Sequence, residues 1–102
     1  ENETALSGLV LASRRSGDNQ EAIRYLNQLL LITPESPPWL TQKTKILWEQ
    51  GQFDEAFETA ERLLSFDPTL IEMRQWLADA YHEKGKPDQA KVHELILLRL
   101  KQ

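Results

Sequence analysis

The stretch Gly51-Gln52-Phe53-Asp54-Glu55-Ala56 decides how the rest of the chain is read. Gly51 stops one helical pattern, because a residue without a Cβ suits the left-handed cap that follows a helix. Gln52 and Phe53 make the turn. Asp54 and Glu55 put negative charge on the first turn of the next helix, where the helix dipole favours it. Ala56 is small enough for two helices to approach closely. The same punctuation stands 34 residues earlier as Gly17-Asp18-Asn19-Gln20-Glu21-Ala22 and 34 residues later as Gly85-Lys86-Pro87-Asp88-Gln89-Ala90. Thr33-Pro34 and Asp67-Pro68 keep the same period. A fixed period of this length, with two helical patterns in each unit, is the signature of a stacked helical solenoid.

Composition narrows the function classes. With 102 residues the chain is one domain or a piece of one, and a solenoid of this size is stabilised by stacking its units. A net charge of −4 argues against a general nucleic-acid binder, which needs a basic face. There is no cysteine, so disulfides and thiolate metal sites are excluded and the compartment is left open. No apolar run approaches the ~18 residues of a membrane span, so this segment is not expected to insert into a membrane. No signal peptide is visible. The chain begins at Glu1 rather than Met, which reads as an excised or processed segment. Asn2-Glu3-Thr4 fits the glycosylation pattern, a match that short sequences make often by chance.

Six helices follow from the periodicity, and no strand pattern competes. The first covers 4–16, with an apolar stripe of Ala5, Leu6, Leu9, Val10 and Ala12. The second covers 19–32, capped by Asp18 with Glu21 in a capping box, and buries Ala22, Ile23, Leu26, Leu29, Leu30 and Ile32. Ser36 caps the third, Pro37 and Pro38 open it, and it runs to Gly51 with Trp39, Leu40, Ile46, Leu47 and Trp48 apolar. The fourth, about 53–66, buries Phe53, Ala56, Phe57, Ala60, Leu63, Leu64 and Phe66. Thr69 and Glu72 suggest a capping box for the fifth, about 70–84, with Ile71, Met73, Trp76, Leu77, Ala80 and Tyr81 apolar. The sixth starts at Pro87 and carries Ala90, Val92, Leu95, Ile96, Leu97, Leu98 and Leu100.

These residues resemble the tetratricopeptide-repeat (TPR) family. Repeat three carries the family's positions as Leu77, Ala78, Tyr81, Gly85 and Ala90. Repeat one carries them as Leu6, Leu9, Gly17, Ala22 and Pro34, and repeat two as Leu40, Leu47, Gly51, Phe53, Ala56 and Pro68. Ser13 replaces the first-helix aromatic of repeat one, and Lys43 and Thr44 replace the Leu-Gly pair of repeat two, which reads as local loosening. The resemblance implies an all-α, right-handed α-α solenoid of three repeats, about 3–36, 37–70 and 71–102, forming one domain over 1–102. It also implies a concave groove lined by the first helix of each repeat. Phase then points Thr4, Ser7, Leu11, Arg14 and Arg15 into it from repeat one. Repeat two gives Thr41, Gln42, Lys45, Trp48 and Glu49, and repeat three gives Glu72, Gln75, Trp76, Asp79, His82 and Glu83.

Each candidate has a plainer alternative. Trp48 lies beside the inward Leu47 and so turns toward the groove, where tryptophan often anchors a partner; packing across the neighbouring helix explains it as well. Trp76 fits core or groove, and Trp39 reads as core. Arg14 and Arg15 suit a carboxylate or phosphate, or simply the helix end. Asp79, His82 and Glu83 share a helix face, but the spacing matches no zinc motif. A subclass of the family binds acidic C-terminal peptides through Lys, Asn and Arg. The matching positions here, Ser7, Leu11, Gln42, Glu72 and Trp76, hold none of these.

The expected function is therefore a protein-interaction module. A partner segment would lie in the groove against Leu11, Arg14, Arg15, Lys45, Trp48, Trp76, Asp79 and His82. The alternative is a structural or dimerising segment of a larger multi-domain enzyme or membrane-tethered assembly factor. No phosphate loop, nucleophile pair or metal cluster suggests an enzyme, and no cofactor or nucleic acid is expected. Leu95, Leu97 and Leu98 wrap too far round the last helix for one buried stripe. They predict self-association there as a homodimer.

Overall fold

The structure, a computed structural model, describes residues 2–102; Glu1, the first residue of the predicted domain, lies outside them. The repeated glycines do what their spacing implies. Gly17, Gly51 and Gly85 all take positive φ, at 80°, 78° and 73°. At each, the next residue's N–H reaches back to close the helix end: Asp18 to the Ser13 carbonyl at 2.8 Å, Gln52 to Leu47 at 2.9 Å and Lys86 to Tyr81 at 2.8 Å. With the glycine N–H bonds to Arg14, Trp48 and His82, this is one Schellman turn made three times.

The helices these turns separate are α1 (Glu3–Arg15), α2 (Asn19–Ile32), α3 (Pro37–Glu49), α4 (Phe53–Phe66), α5 (Ile71–Glu83) and α6 (Pro87–Leu100). They form three antiparallel hairpins, α1 with α2, α3 with α4 and α5 with α6, stacked through α2 on α3 and α4 on α5. The result is an all-α helical-repeat solenoid measuring 41 × 25 × 18 Å. Ala22, Ala56 and Ala90 are fully buried, so the small residue does allow the close helix approach in every repeat. Two apolar clusters hold the stack. One joins Leu6, Val10, Ala22, Leu26, Leu29 and Ile46 across repeats one and two. The other joins Leu40, Phe57, Leu63, Leu64, Met73, Leu77 and Tyr81 across repeats two and three.

Several local expectations are corrected. Asp18 accepts from the Glu21 N–H at 3.1 Å, but the Glu21 carboxylate turns to Arg24 at 2.8 Å, leaving half a capping box. Arg24's hydrogen bonds hold that carboxyl below its ordinary range. Thr69 donates to the Asp67 side chain at 3.0 Å, and Leu70 is the cap residue of α5, so the second capping box does not form. Ser36 makes no side-chain cap bond; Pro37 and Pro38 follow it, and neither has an N–H to offer. Asn2 accepts from Thr4 and Ala5 N–H groups at 2.7 and 3.3 Å and caps α1. Thr44 is not a loose spot: it is fully buried and donates to the Leu40 carbonyl at 2.8 Å. Ala5, Leu9 and Ala12 are exposed on α1, as are Ile32, Phe66, Ile71 and Val92 near the ends or outer sides of their helices. Leu97 is 4% exposed and packs inward, so it cannot serve as a surface residue for self-association; Leu95 and Leu98 are on the surface.

Candidate binding groove

The first helices of the hairpins, α1, α3 and α5, lie side by side, and three adjoining depressions run across them. The first, about 760 Å³, is lined by Thr4, Ser7, Leu11, Arg14, Arg15, Trp39 and Gln42. The second, about 360 Å³, shares Arg14 and Gln42 with it and adds Pro37, Pro38, Thr41, Lys45 and Leu70. The third, about 490 Å³, shares Thr41, Lys45 and Leu70 and adds Ile71, Glu72, Met73 and Trp76. The shared residues make the three a single groove.

Of the residues singled out from the sequence, Leu11, Arg14, Arg15, Lys45 and Trp76 line this groove. Trp39, read as core, is half-buried and lines it too. Arg14 is held in place: its Nη1 donates to Gln42 Oε1 at 2.5 Å, and Nη2 lies 3.8 Å from Glu49. Trp48, Asp79 and His82 stand outside the lining. Trp48 is half-buried, with ring centroids 4.6 Å from Phe53, 5.7 Å from Phe57 and 5.3 Å from Trp76, all edge-on. The Lys84 ammonium sits over the Trp48 and Phe53 rings at 5.3 and 3.6 Å, an arrangement in which the cation meets the negative ring faces. Asp79 accepts from Gln75 at 3.1 Å on its own helix, and His82 lies 3.2 Å from Glu94 of α6.

Register alone does not separate the two sets; the partner each side chain meets does. Arg14, Trp48 and His82 occupy one position 34 residues apart. Arg14 reaches Gln42 and Trp48 reaches Trp76, in both cases 28 residues on and in the next repeat. The position makes the contact between neighbouring repeats, polar in one case and aromatic in the other. Trp48 thereby supports the wall on which Trp76 is displayed.

A second polar cluster escaped the sequence reading. Arg74 is buried against α6, with Nη1 2.9 Å from His93 Nδ1 and Nη2 donating to the Pro68 carbonyl at 2.8 Å. A guanidinium only donates, so His93 Nδ1 accepts and the ring proton sits on Nε2. That proton goes to Glu61 Oε2 at 3.0 Å, which also accepts from Tyr81 Oη at 2.7 Å. Phe57, Tyr81 and His93 stack nearly parallel, at 4.2 and 5.9 Å. Burial, reinforced by Glu61, holds the Tyr81 phenol well above the ordinary tyrosine range. The signal was available: Leu6, Leu40 and Arg74 share one register, and an arginine in line with two core leucines marks a buried charge. Among the described residues, no three His, Asp or Glu side chains gather closely enough to hold a metal ion. No helix among them is long and apolar enough to cross a membrane.

Comparison with known proteins agrees with this architecture. Tetratricopeptide-repeat models match residues 5–37 and 47–93. A TPR repeat-containing thioredoxin, TTL4 of Arabidopsis thaliana, is 25% identical over 79 residues, which are 78% of this chain and 12% of that protein. A crystal structure of MamA superposes with a TM-score of 0.86 at 23% identity, over 98% of this chain and 58% of MamA. A mutant of MamA superposes at 0.81 and 20% identity, over 100% and 74%. The chain thus spans a small part of the thioredoxin relative and 58% and 74% of the two MamA chains. With its glycine turns, buried alanines and stacked hairpins in register, the chain belongs to the tetratricopeptide-repeat family, whose helical arrays serve as protein-interaction modules.

Proposed function

We propose that the groove across α1, α3 and α5 binds an extended segment of a partner protein that carries apolar and acidic side chains. The carrying observation is the continuity of the three depressions through Arg14, Gln42, Thr41, Lys45 and Leu70. Leu11, Trp39, Leu70 and Trp76 offer apolar surface along that path, and Arg14, Arg15 and Lys45 supply positive charge beside it. An extended chain suits such a groove because its side chains alternate between wall and solvent.

The test is selection of peptides from a random displayed library on the whole chain. Enriched peptides should combine an apolar residue with Asp or Glu. Their affinity should fall about tenfold or more, roughly 1.4 kcal/mol, in Leu11→Asp and in Lys45→Glu. Both residues are exposed, so folding should be spared. Selection of peptides whose affinity ignores both substitutions sinks the groove reading.

A second reading, a dimerising segment of a larger protein, is favoured by one observation. Val92, Leu95 and Leu98 leave an apolar surface on α6, away from the groove.

A further inference from the structure

The outer surface of α6 is unlike that of the helices it repeats. The corresponding exposed position pairs of α2 and α4 are polar: Arg24 and Asn27 in one, Glu58 and Glu61 in the other, with Glu61 turned to Tyr81 and His93 of the next repeat. The same register in α6 holds Val92 and Leu95, which are 56% and 54% exposed. The period has kept the helix and changed the chemistry of its outer face.

Only the Leu95 edge of this face lies toward the side on which another repeat would stack: Glu61, its register mate in α4, meets Tyr81 and His93 of the next repeat. In α4 the stacking positions are Phe57, Ala60 and Leu64, all buried in the cluster that α5 completes. Their register mates in α6 are Lys91, Glu94 and Leu98. A further hairpin stacked as α5 and α6 stack on α4 would cover two charged side chains there, touch Leu95 at its edge as Tyr81 and His93 touch Glu61, and leave Val92, like its mate Glu58, in water. Leu98, 62% exposed, flanks the face on that side. Ile96 flanks it on the other, and with Val92 it lines a hollow shared with Glu61, Arg74 and His93.

The face has charges only at its ends. Asp88, Val92, Leu95 and Arg99 follow one another at spacings of four, three and four, the seam spacing of paired helices. We infer that α6 pairs with α6 of a second copy of this chain, antiparallel and about a two-fold axis between Val92 and Leu95. The charge pattern selects this occupant and this direction. Antiparallel pairing sets Asp88 of each copy against Arg99 of the other, and Val92 against Leu95. Parallel pairing would set Asp88 against Asp88 and Arg99 against Arg99. A helix of 14 residues is about 21 Å long, so the contact is a small one and belongs with weak, transient interfaces. The inference deepens the dimerising reading and does not depend on the groove.

Sedimentation of the whole chain from about 10 µM to about 1 mM tests it, against the rule that one helix pair gives a weak contact. The wild type should shift from monomer to dimer within that range. Leu95→Glu should remove the shift, and Asp88→Arg or Arg99→Asp alone should weaken association about tenfold. The double variant carrying both exchanges should recover it. Asp88 and Arg99 also suit the dipole of their own helix, so helicity is followed alongside. The double variant reverses both charges relative to the dipole, and only cross-copy pairing makes it associate better than either single variant. A wild type that stays monomeric overturns the inference and the dimerising reading together. A dimer insensitive to Leu95→Glu overturns the inference. A dimer lost in Leu95→Glu but indifferent to the charge exchanges overturns the antiparallel arrangement and leaves the dimerising reading standing. A monomer that co-sediments with phosphatidylserine vesicles through Leu95 assigns the face to lipid, and overturns it too.

Discussion

Repeats one and two fill with leucine a position that repeat three fills with arginine. Leu6 and Leu40 are both buried in apolar clusters. Arg74, the next in register, is buried as well. The backbone does not distinguish the three positions; the neighbours do. Around Arg74 the chain supplies His93, Glu61, Tyr81 and the Pro68 carbonyl. Around Leu40 the register mate of His93 is Thr59, whose hydroxyl is already committed to the Glu55 carbonyl at 2.9 Å. A repeat fixes where a side chain goes. Whether a charge is tolerated there depends on partners drawn from other helices, and they must come as a set. The Arg74 set is nearly complete, with Nε alone lacking a protein partner among the described residues.

The largest effect should come from moving the arginine without its partners. Leu40→Arg would bury a guanidinium among Phe57, Leu63 and Leu77 with no acceptor ring to meet it. An unpaired buried charge of this kind costs at least ~4 kcal/mol, most of the stability of a small domain. Urea denaturation followed by circular dichroism measures it. A variant within ~1 kcal/mol of the parent would show that repeat two can hydrate that position and that the contrast with repeat three is shallow.

Next comes removal of the arginine where it belongs. Arg74→Ala deletes a buried side chain and orphans acceptors on His93 and Pro68, for a loss of about 2–4 kcal/mol. Arg74→Leu restores the residue of the other two repeats and recovers part of the packing, so it should fall between Ala and the parent. If Arg74→Leu is the most stable of the three, the polar set is not needed for stability and must be explained by specificity.

How much of this was legible in the sequence follows from the same contrast. Turns were legible because glycine at positive φ and proline after a helix are local necessities, and each needs only its own residue type. Helix ends were legible for that reason. Burial was legible where apolar stripes met a neighbour, and misread at Leu9, Phe66 and Ile71, where a helix end or outer side has none. The capping boxes misled because Glu21 and Thr69 had competing partners in Arg24 and Asp67. Phase points Leu11, Arg14, Lys45 and Trp76 to the concave side, and these four line the depressions there. Trp48 and His82 share the register of Arg14 but stand outside the lining, because Trp48 meets the rings of Phe53, Phe57 and Trp76 and His82 meets Glu94. Arg74 stayed hidden because charge in one helix reads as surface; only alignment of the three repeats sets it beside Leu6 and Leu40.

A smaller effect tests what the repeats share. Ala56 is fully buried where α3 and α4 approach, as Ala22 and Ala90 are in their hairpins. Ala56→Leu overpacks that approach and should cost about 1–3 kcal/mol. Parental melting would mean that the helix pair yields at this point, and the geometric half of the comparison would lose its footing.

The smallest effect is the most diagnostic of the polar set. Tyr81→Phe removes one hydrogen bond, to a Glu61 that is already half in water, so near neutral pH the loss should be about 1 kcal/mol or less. The pH dependence carries the information. In the unfolded chain a tyrosine loses its proton near the ordinary value of about 10. In the folded protein burial and Glu61 hold the proton on Tyr81 to higher pH. Above about pH 10 the unfolded state therefore binds fewer protons than the folded one, and stability falls as pH rises, by at most about 1.4 kcal/mol per unit for one group. The contribution is fully present below pH ~10 and is lost as pH climbs toward the folded value. Tyr81→Phe has nothing to lose at that position, and Tyr25 is present in both proteins and cancels from their difference. The parent should thus be the more stable protein at pH 7, and its advantage should shrink or reverse by pH 11, as read from paired urea titrations. A constant difference across that range would mean that the phenol ionises as freely in the fold as outside it. The Tyr81–Glu61 contact would then belong to the wet rim of repeat three and not to the set that lets Arg74 stand where the other repeats have leucine.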